Sequence, residues 1–496
     1  MSYIKIIFIY FLFLMPSKTF SQGISNLWMM GYESFSSNPK FGGTNINFYT
    51  GFPDTSHVNR SMNFSDCNAN ISDSAGNLLF YTNGIYIANA NNDSMVNGDS
   101  LNFYTYHSSG DYGIRIRQGN LILPFPEHPN LYYLFHETYY VLPSSVHTVL
   151  NIYYSIIDMT LDGGLGAVTQ KNQLLLADTL TVGGITACKH ANGRDWWVVF
   201  HKKSGSTYYK FLLSPSGTQG PFSQNIGLSF PYTNDFIWQS CFSPDGNKFA
   251  SVTYRDTLDI MNFDRCTGIF SNSISINLND SSIGRGVAFA PNSRYLYVSS
   301  GKYLYQFDTD SSNILASKTT IGRYDGFTDQ GLPFATFFYQ AQLATDGKIY
   351  INTPNTTQWL HVINHPDNPG LNCDLVQHGL MLPTYNGFTI PNFPNYFLGV
   401  ESNSICDSLH LGIHFETTEQ IQIYPNPCSN TIKISGITNA IDLQVINHFG
   451  QILITKNFNY TSNVINLNVS ELNCGFYHLR IRTNSSIYCV RFLKIE

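Results

Sequence analysis

Charge is what this 496-residue chain has least of. Only 12% of it is Asp, Glu, Lys or Arg, about half the share of roughly 25% usual in soluble domains. The formal net charge is −6 and no long basic run occurs. That argues against a nucleic-acid partner held by phosphate neutralisation. Little charge combined with 43% hydrophobic content also excludes a disordered chain or a charge-laced coiled coil. No apolar run reaches the 18 or so residues that a membrane-spanning helix needs. Catalytic signatures are scarce too. There is no G-x-x-x-x-G-K-[ST] phosphate cradle and no G-x-S-x-G elbow, and the H-E-x-x-H begun by His136 and Glu137 ends on Tyr140. The nine cysteines include no C-x-x-C, which argues against zinc-ribbon and thioredoxin sites. Nine is odd, so at least one thiol has no partner within the chain; small buried residues plus one or two disulfides is the expected pattern.

What the chain has instead is aromatic and turn-forming. Phe, Tyr and Trp make up 15%, and there are 49 Asn, 38 Gly and 21 Pro. Aromatics favour strands, and Asn, Gly and Pro favour tight turns, so the composition reads as β-rich.

The first residues read as an export signal. After Lys5, Ile6 to Met15 is an apolar run of ten, ended by Pro16. Thr19 and Ser21 supply small residues for cleavage between Ser21 and Gln22. Removing residues 1–21 takes away Lys5 and Lys18 and moves the net charge from −6 to −8. The first cysteine, Cys67, is far from the cleavage point, which argues against a lipoprotein anchor.

The middle of the chain repeats one phrase: strand, polar turn, aromatic-rich strand. It occurs at Ile71–Tyr81, Leu123–Phe135, Ala187–Phe200, Cys241–Val252, Phe289–Val298 and Leu343–Ile351. The turns centre on Gly76, Asn130, Gly193, Gly246, Ser293 and Gly347, at steps of 47 to 63 residues. Further strand material follows, as in Leu258–Asp264 and Tyr303–Asp308. A period near 50 built only of strands predicts β-propeller blades of four strands. Seven units fit the span from Leu27 to Gly399, the seventh being assembled from Leu27–Tyr32 at the start and Gly387–Leu398 at the end.

The tail reads as a separate module. Residues 1–21 are the signal, 22–400 the propeller and 401–418 a linker; 419–496 form a small β-sandwich of six or seven short strands. Pro425 and Pro427 mark its start. The fold class is therefore all-β, a propeller of about seven blades followed by a small sandwich.

These residues resemble families already known. Tyr424-Pro425-Asn426-Pro427 opens the tail, Gly450 lies in a central hairpin, Gly475 and Tyr477 follow Leu472-Asn473-Cys474, and Arg491 and Lys494 close it. This is similar to the C-terminal sorting domain of type IX secretion cargo in Bacteroidetes-type bacteria. It departs from that family in having Asn447-His448-Phe449 where an Asp is common, and Leu-Asn-Cys-Gly for Leu-Pro-Ala-Gly. The middle resembles a propeller family found ahead of such tails, WD-like in blade style but without the Trp-Asp signature, through Ile71-Ser72-Asp73 to Thr82-Asn83-Gly84, Asp158 to Gly166, Lys189 to Trp197 and Leu382 to Phe393. The resemblance implies the type IX machinery as a partner and a secreted or cell-surface location; it implies no activity. Six Asp-Ser/Thr-apolar triplets, starting at Asp73, Asp93, Asp99, Asp178, Asp256 and Asp407, also resemble the O-glycosylation signal of such bacteria.

Candidate chemistry is thin. His190 and Asp195 are the most enzyme-like pair, but they flank an Asn192-Gly193 turn. Asn89–Ser100 offers oxygens to calcium without matching the EF-hand order. No catalytic residue, metal site or cofactor is expected. The leading expectation is a non-enzymatic module binding an extracellular glycan or protein. Its rivals are a propeller hydrolase or lyase acting on a polysaccharide at the channel mouth, and a structural matrix component.

Overall fold

The computed structural model describes residues 23–102, 113–142, 146–230, 236–254, 256–280, 285–329, 332–402, 404–406, 422–436, 440–447, 452–458, 464–483 and 487–495. The chain divides into two compact units between Asp407 and Ser408. The described residues contain strands, turns and short 3-10 segments, and no helix among them is long and apolar enough to cross a membrane.

The described part of the first unit forms seven antiparallel sheets. The first holds β1 (Leu27–Gly31), β2 (Gly43–Asn47) and β3 (Asp54–Val58); the second holds β4 (Ala69–Ser72), β5 (Leu78–Thr82) and β6 (Ile87–Asn89). The third holds β7 (Asn120–Pro124), β8 (Leu131–Leu142), β9 (Val146–Asp158) and β10 (Ala167–Leu180). The fourth holds β11 (Thr186–Lys189), β12 (Trp196–His201), β13 (Gly205–Ser214) and β14 (Gly217–Phe230). The fifth holds β15 (Ile237–Phe242), β16 (Lys248–Thr253), β17 (Thr257–Asp264) and β18 (Ile269–Asn277). The sixth holds β19 (Arg285–Phe289), β20 (Tyr295–Ser300), β21 (Tyr303–Asp308) and β22 (Thr319–Arg323). The seventh holds β23 (Ala341–Leu343), β24 (Ile349–Ile351), β25 (Thr357–Ile363) and β26 (Leu375–Asn386). Each is a meander of consecutive strands, which is the blade of a β-propeller. The six repeated phrases of the sequence are the hairpins joining the first and second strands of sheets two to seven.

The first strands line the centre, and they pack on one another from blade to blade. They are almost wholly buried, with every residue of β1, β4 and β19 inside. Neutral amides join them. Asn68 and Asn70 donate to the carbonyls of Met29 (2.7 Å) and Leu27 (2.8 Å) on β1. Gln239 on β15 accepts from the N–H groups of Val287 and Ala341, each at 3.0 Å, and donates to the Ala341 carbonyl at 2.6 Å. A buried amide satisfies backbone groups without the desolvation cost of a charge, so this ring needs few ionised residues.

Two features depart from the sequence reading. The blade expected from both ends of the span owes nothing to Gly387–Leu398: β1, β2 and β3 form the first sheet alone, and β1 runs antiparallel to its inner neighbour β4, as the pairings of Asn68 with Met29 and Asn70 with Leu27 require. Gly387–Leu398 is not a strand. It threads the centre of the ring. The Phe388 N–H reaches the Ser65 carbonyl at the mouth where β4 begins. Asn392 donates to the carbonyls of Asn120 and Ile185, each at 3.0 Å, and accepts from Gln118 at 3.2 Å. Tyr396 donates to the Ile122 carbonyl, and Asn395 to that of Pro244 just past the end of β15. Pro391 and Pro394 lack the N–H groups that a ladder needs, so side-chain amides hold this segment instead. We call the mouth at Ser65 the upper one. Below the ring, Gly399 and Val400 press on the turn at Gly193, where φ is +69° and a Cβ would come within 2.6 Å of the Val400 nitrogen. A disulfide between Cys266 and Cys406 then fixes the segment to the turn between β17 and β18. Cys67, Cys188, Cys241, Cys373 and Cys428 are thiols held wholly or partly inside, and Cys474 is exposed.

Ring closure lies in the last blade. The end of β26 packs on the first sheet, with Thr384 against Thr44 (2.6 Å) and the Tyr385 N–H on the Lys40 carbonyl (2.7 Å).

The second unit has two sheets: β27 (Gln422–Tyr424), β28 (Thr431–Ser435) and β31 (Val464–Asn468) in one, and β30 (Ile452–Asn457), β29 (Ala440–Ile446), β32 (Gly475–Thr483) and β33 (Ile487–Lys494) in the other. Alternate residues point inward, so Ile432, Ile434, Leu443, Val445, Ile465, Leu467, Leu479 and Ile481 make one small core.

Candidate functional site

The upper mouth gathers side chains from four blades. Arg117 precedes β7, Asp66 precedes β4, Trp238 is on β15 and Tyr339 precedes β23. The Arg117 guanidinium meets an Asp66 carboxylate oxygen at 3.1 Å, bonds the Tyr339 hydroxyl, and lies 4.4 Å over the Trp238 ring. Burial alone would lower the Arg117 pKa; the Tyr339 phenol and the Asp66 carboxylate outweigh it and raise it. Burial pushes the Tyr339 phenol up. Phe388, the head of the threading segment, lies 5.8 Å from the guanidinium.

An aromatic layer extends from Trp238. Tyr254 is 5.7 Å from it at 14°, Phe236 is 4.9 Å from Tyr254 at 20°, and Phe236 is 5.8 Å from Trp238. Trp238–Tyr254 and Phe236–Tyr254 are stacked pairs, and Phe236 is tilted by 33° to Trp238. Tyr254 is 40% exposed, while Trp238 is 6% exposed and its Nε1 has no hydrogen-bond partner among the described residues. Behind this mouth sit Glu137, which accepts from the Gly183 N–H at 2.9 Å, and His136, held by Asn102 and Ser155. Burial raises Glu137 to about 8 and lowers His136 to about 3.

Beside the threading segment a cavity of about 160 Å³ runs along β11, β15, β19 and β23. The only ionisable side chain in its lining is Cys241, pushed up to about 12 by burial.

The residues singled out in the sequence fall elsewhere. His190 and Asp195 close a turn: the His190 N–H bonds the Asp195 carbonyl at 2.8 Å, and Asp195 pairs with Arg194. In the Asn89 loop, Asn89 Oδ1 is taken up by the N–H groups of Asn91 and Asp93. Ser21, Gln22 and Gly450 lie outside the described residues. Tyr424, half-exposed, ends β27 before Pro425. Asn426, just ahead of Pro427, donates to the Arg491 carbonyl (3.3 Å) and accepts from the Leu493 N–H (2.9 Å) on β33. Gly475 pairs with Lys494 across β32 and β33. Tyr477 donates to the Asn473 carbonyl and stacks on Phe492 at 5.7 Å. Lys494 is 6% exposed, and its Nζ donates to the Ile495 carbonyl. Asn426, Gly475, Tyr477 and Lys494 thus meet along the last strand, while Tyr424 pairs with Lys433 on β28.

Sequence reasoning missed Asp66, Arg117, Trp238 and Tyr339. No local motif marks them; each lies within three residues of the start of an inner strand, and it is ring closure that turns these starts to one mouth.

Residues 422–495 match the family described as the secretion system C-terminal sorting domain. The tail is such a domain, and it marks the chain for type IX export, to the cell surface or the surroundings. No match was found among curated proteins. Among solved structures, a candidate 6-phosphogluconolactonase of Bacteroides fragilis is 12% identical, with 76% of this chain and 100% of that one covered and a TM-score of 0.43. The periplasmic gluconolactonase of Pseudomonas aeruginosa is 12% identical, with 75% and 100% covered and a TM-score of 0.41. The propeller assignment rests on the seven sheets themselves.

Proposed function

We propose that this exported protein is a non-enzymatic binding module that holds an extracellular glycan at the upper mouth of its propeller. One observation carries the reading: a paired guanidinium and carboxylate, Arg117 and Asp66, stand beside the Trp238–Tyr254–Phe236 layer. A pyranose offers an apolar face for ring stacking and hydroxyls at its rim that both donate and accept, which such a pair can meet. The channel beneath is filled by the chain's own segment, so a ligand is bound at the surface and not passed through.

The test is a glycan array followed by calorimetric titration of the secreted full-length chain. Tyr254→Ala and Arg117→Gln should each weaken binding about tenfold, the loss of one stacking or charge-assisted contact. Affinities untouched by either substitution would remove the mouth from the reading, and a blank array would remove the glycan.

One observation favours the rival hydrolase or lyase. Glu137, kept protonated near neutrality by burial, lies behind the same mouth, and a protonated carboxyl is what general-acid cleavage of a glycosidic bond needs. Reducing ends released from a polysaccharide by the wild type, and not by Glu137→Gln, would establish it.

A further inference from the structure

The outward face of the second unit's larger sheet carries more positive charge than its own fold uses. Along β32, Tyr477, Leu479 and Ile481 turn inward, which leaves Phe476, His478, Arg480 and Arg482 facing out. On β33, Phe492 turns inward and Arg491 outward, and the register sets Arg491 opposite His478. Arg482 has an acid, Asp442 on β29, at 2.6 Å from Nε. Arg480 and Arg491 have no carboxylate partner among the described residues. Arg491 instead lies 4.8 Å over the ring of Phe476, which is 53% exposed and sits opposite Leu493. Lys494, the other cation of the strand, is buried and bonded within it, so it does not belong to this face.

Arg480 and Arg491 stand on neighbouring strands, diagonal to one another across the His478–Arg491 pair, with no carboxylate between them among the described residues. Arginine with an exposed aromatic is the composition found at the centres of protein interfaces. We infer that Phe476, His478, Arg480 and Arg491 form a docking face for an acidic protein surface of the export machinery. A polysaccharide polyanion would answer the charge alone and gain nothing from the Phe476–Leu493 step, which favours a protein. Asn426 is then a positioning residue: it holds the backbone of Arg491 and Leu493 and presents no part of itself to the partner.

The experiment measures the exported fraction of the full chain in its producing bacterium. Arg480→Glu with Arg491→Glu should reduce export at least about tenfold, as reversal of an interface charge pair does, with precursor accumulating inside. Arg480→Gln with Arg491→Gln should reduce it less, while the thermal midpoint of the purified chain holds, since neither arginine has a carboxylate partner to lose among the described residues. Lys433→Glu, an exposed cation of the other sheet, should leave export unchanged. Wild-type export of the charge-reversed chain overturns the proposal, and so does an equal loss with Lys433→Glu. Normal export followed by loss from the cell surface assigns the face to a surface polyanion and overturns it as well. If the charge-reversed chain does not fold, the glutamine pair decides, since a folded glutamine variant exported like wild type overturns the proposal.

Discussion

Asn426 and Leu493 meet across 67 positions of sequence: the Leu493 N–H donates to the Asn426 side-chain oxygen at 2.9 Å, and the same amide donates to the Arg491 carbonyl. The residue at the head of the sorting domain therefore acts as one more rung on its last strand. The Cys428 N–H continues the row onto the Leu493 carbonyl.

Asn426→Ala removes both bonds and should destabilise the second unit by about 1–2 kcal/mol. Asn426→Asp keeps the acceptor and loses the donor, so it should fall between. Limited proteolysis of the purified full chain checks this, because cleavage within 422–495 should accelerate in that order.

Gln239 bridges three inner strands. Gln239→Leu leaves the Val287 and Ala341 N–H groups buried without an acceptor and should cost about 3 kcal/mol, since each orphaned group costs roughly 1–3. Urea unfolding followed by tryptophan fluorescence gives the number. An unchanged midpoint would mean that these amides do not join the blades.

The Cys266–Cys406 disulfide spans 140 residues and fixes the lower end of the threading segment. Replacing both cysteines by serine should cost about 2–4 kcal/mol. Loosening that segment should also speed alkylation of Cys241, which lines the adjoining cavity. Mass spectrometry of the labelled protein measures the rate, and equal labelling in variant and wild type would count against a pinned segment.

Buried titrating groups give the first unit a stability optimum. His136, His201 and His361 are each lowered to about 3 by burial. Their contribution is whole above the unfolded value near 6.5 and is lost as pH falls toward 3. Glu137 is raised from 4.5 to about 8, so its contribution is whole below 4.5 and is lost as pH rises to 8. Each group changes stability by roughly 1.4 kcal/mol per pH unit inside its window. Three groups oppose one on the acid side, so stability should peak near pH 6.5–7 and fall more steeply toward acid. Urea midpoints from pH 4 to 9 test this, and Glu137→Gln should abolish the decline between pH 6.5 and 8.

The blades were legible because their signals are local. A short polar turn between aromatic strands specifies a hairpin within about a dozen residues, and six such hairpins stand where the repeats lie, three of them on Asn-Gly or Asp-Gly (Asn192-Gly193, Asp245-Gly246, Asp346-Gly347). Gly387–Leu398 was misread because its aromatic alternation imitates a strand, although Pro391 and Pro394 deny it ladder bonds.

Composition, period and tail motifs by themselves determined a charge-poor ring of strands and an export domain, since each follows from short-range backbone preference or a local pattern. Only the tertiary structure brought an ion pair and an aromatic cluster together at one end of the ring. Asp66, Arg117, Trp238 and Tyr339 are scattered over more than half the chain, and nothing in their local sequence joins them. Ring closure does, by placing the starts of successive inner strands around one mouth, while the threading segment fills the space beneath.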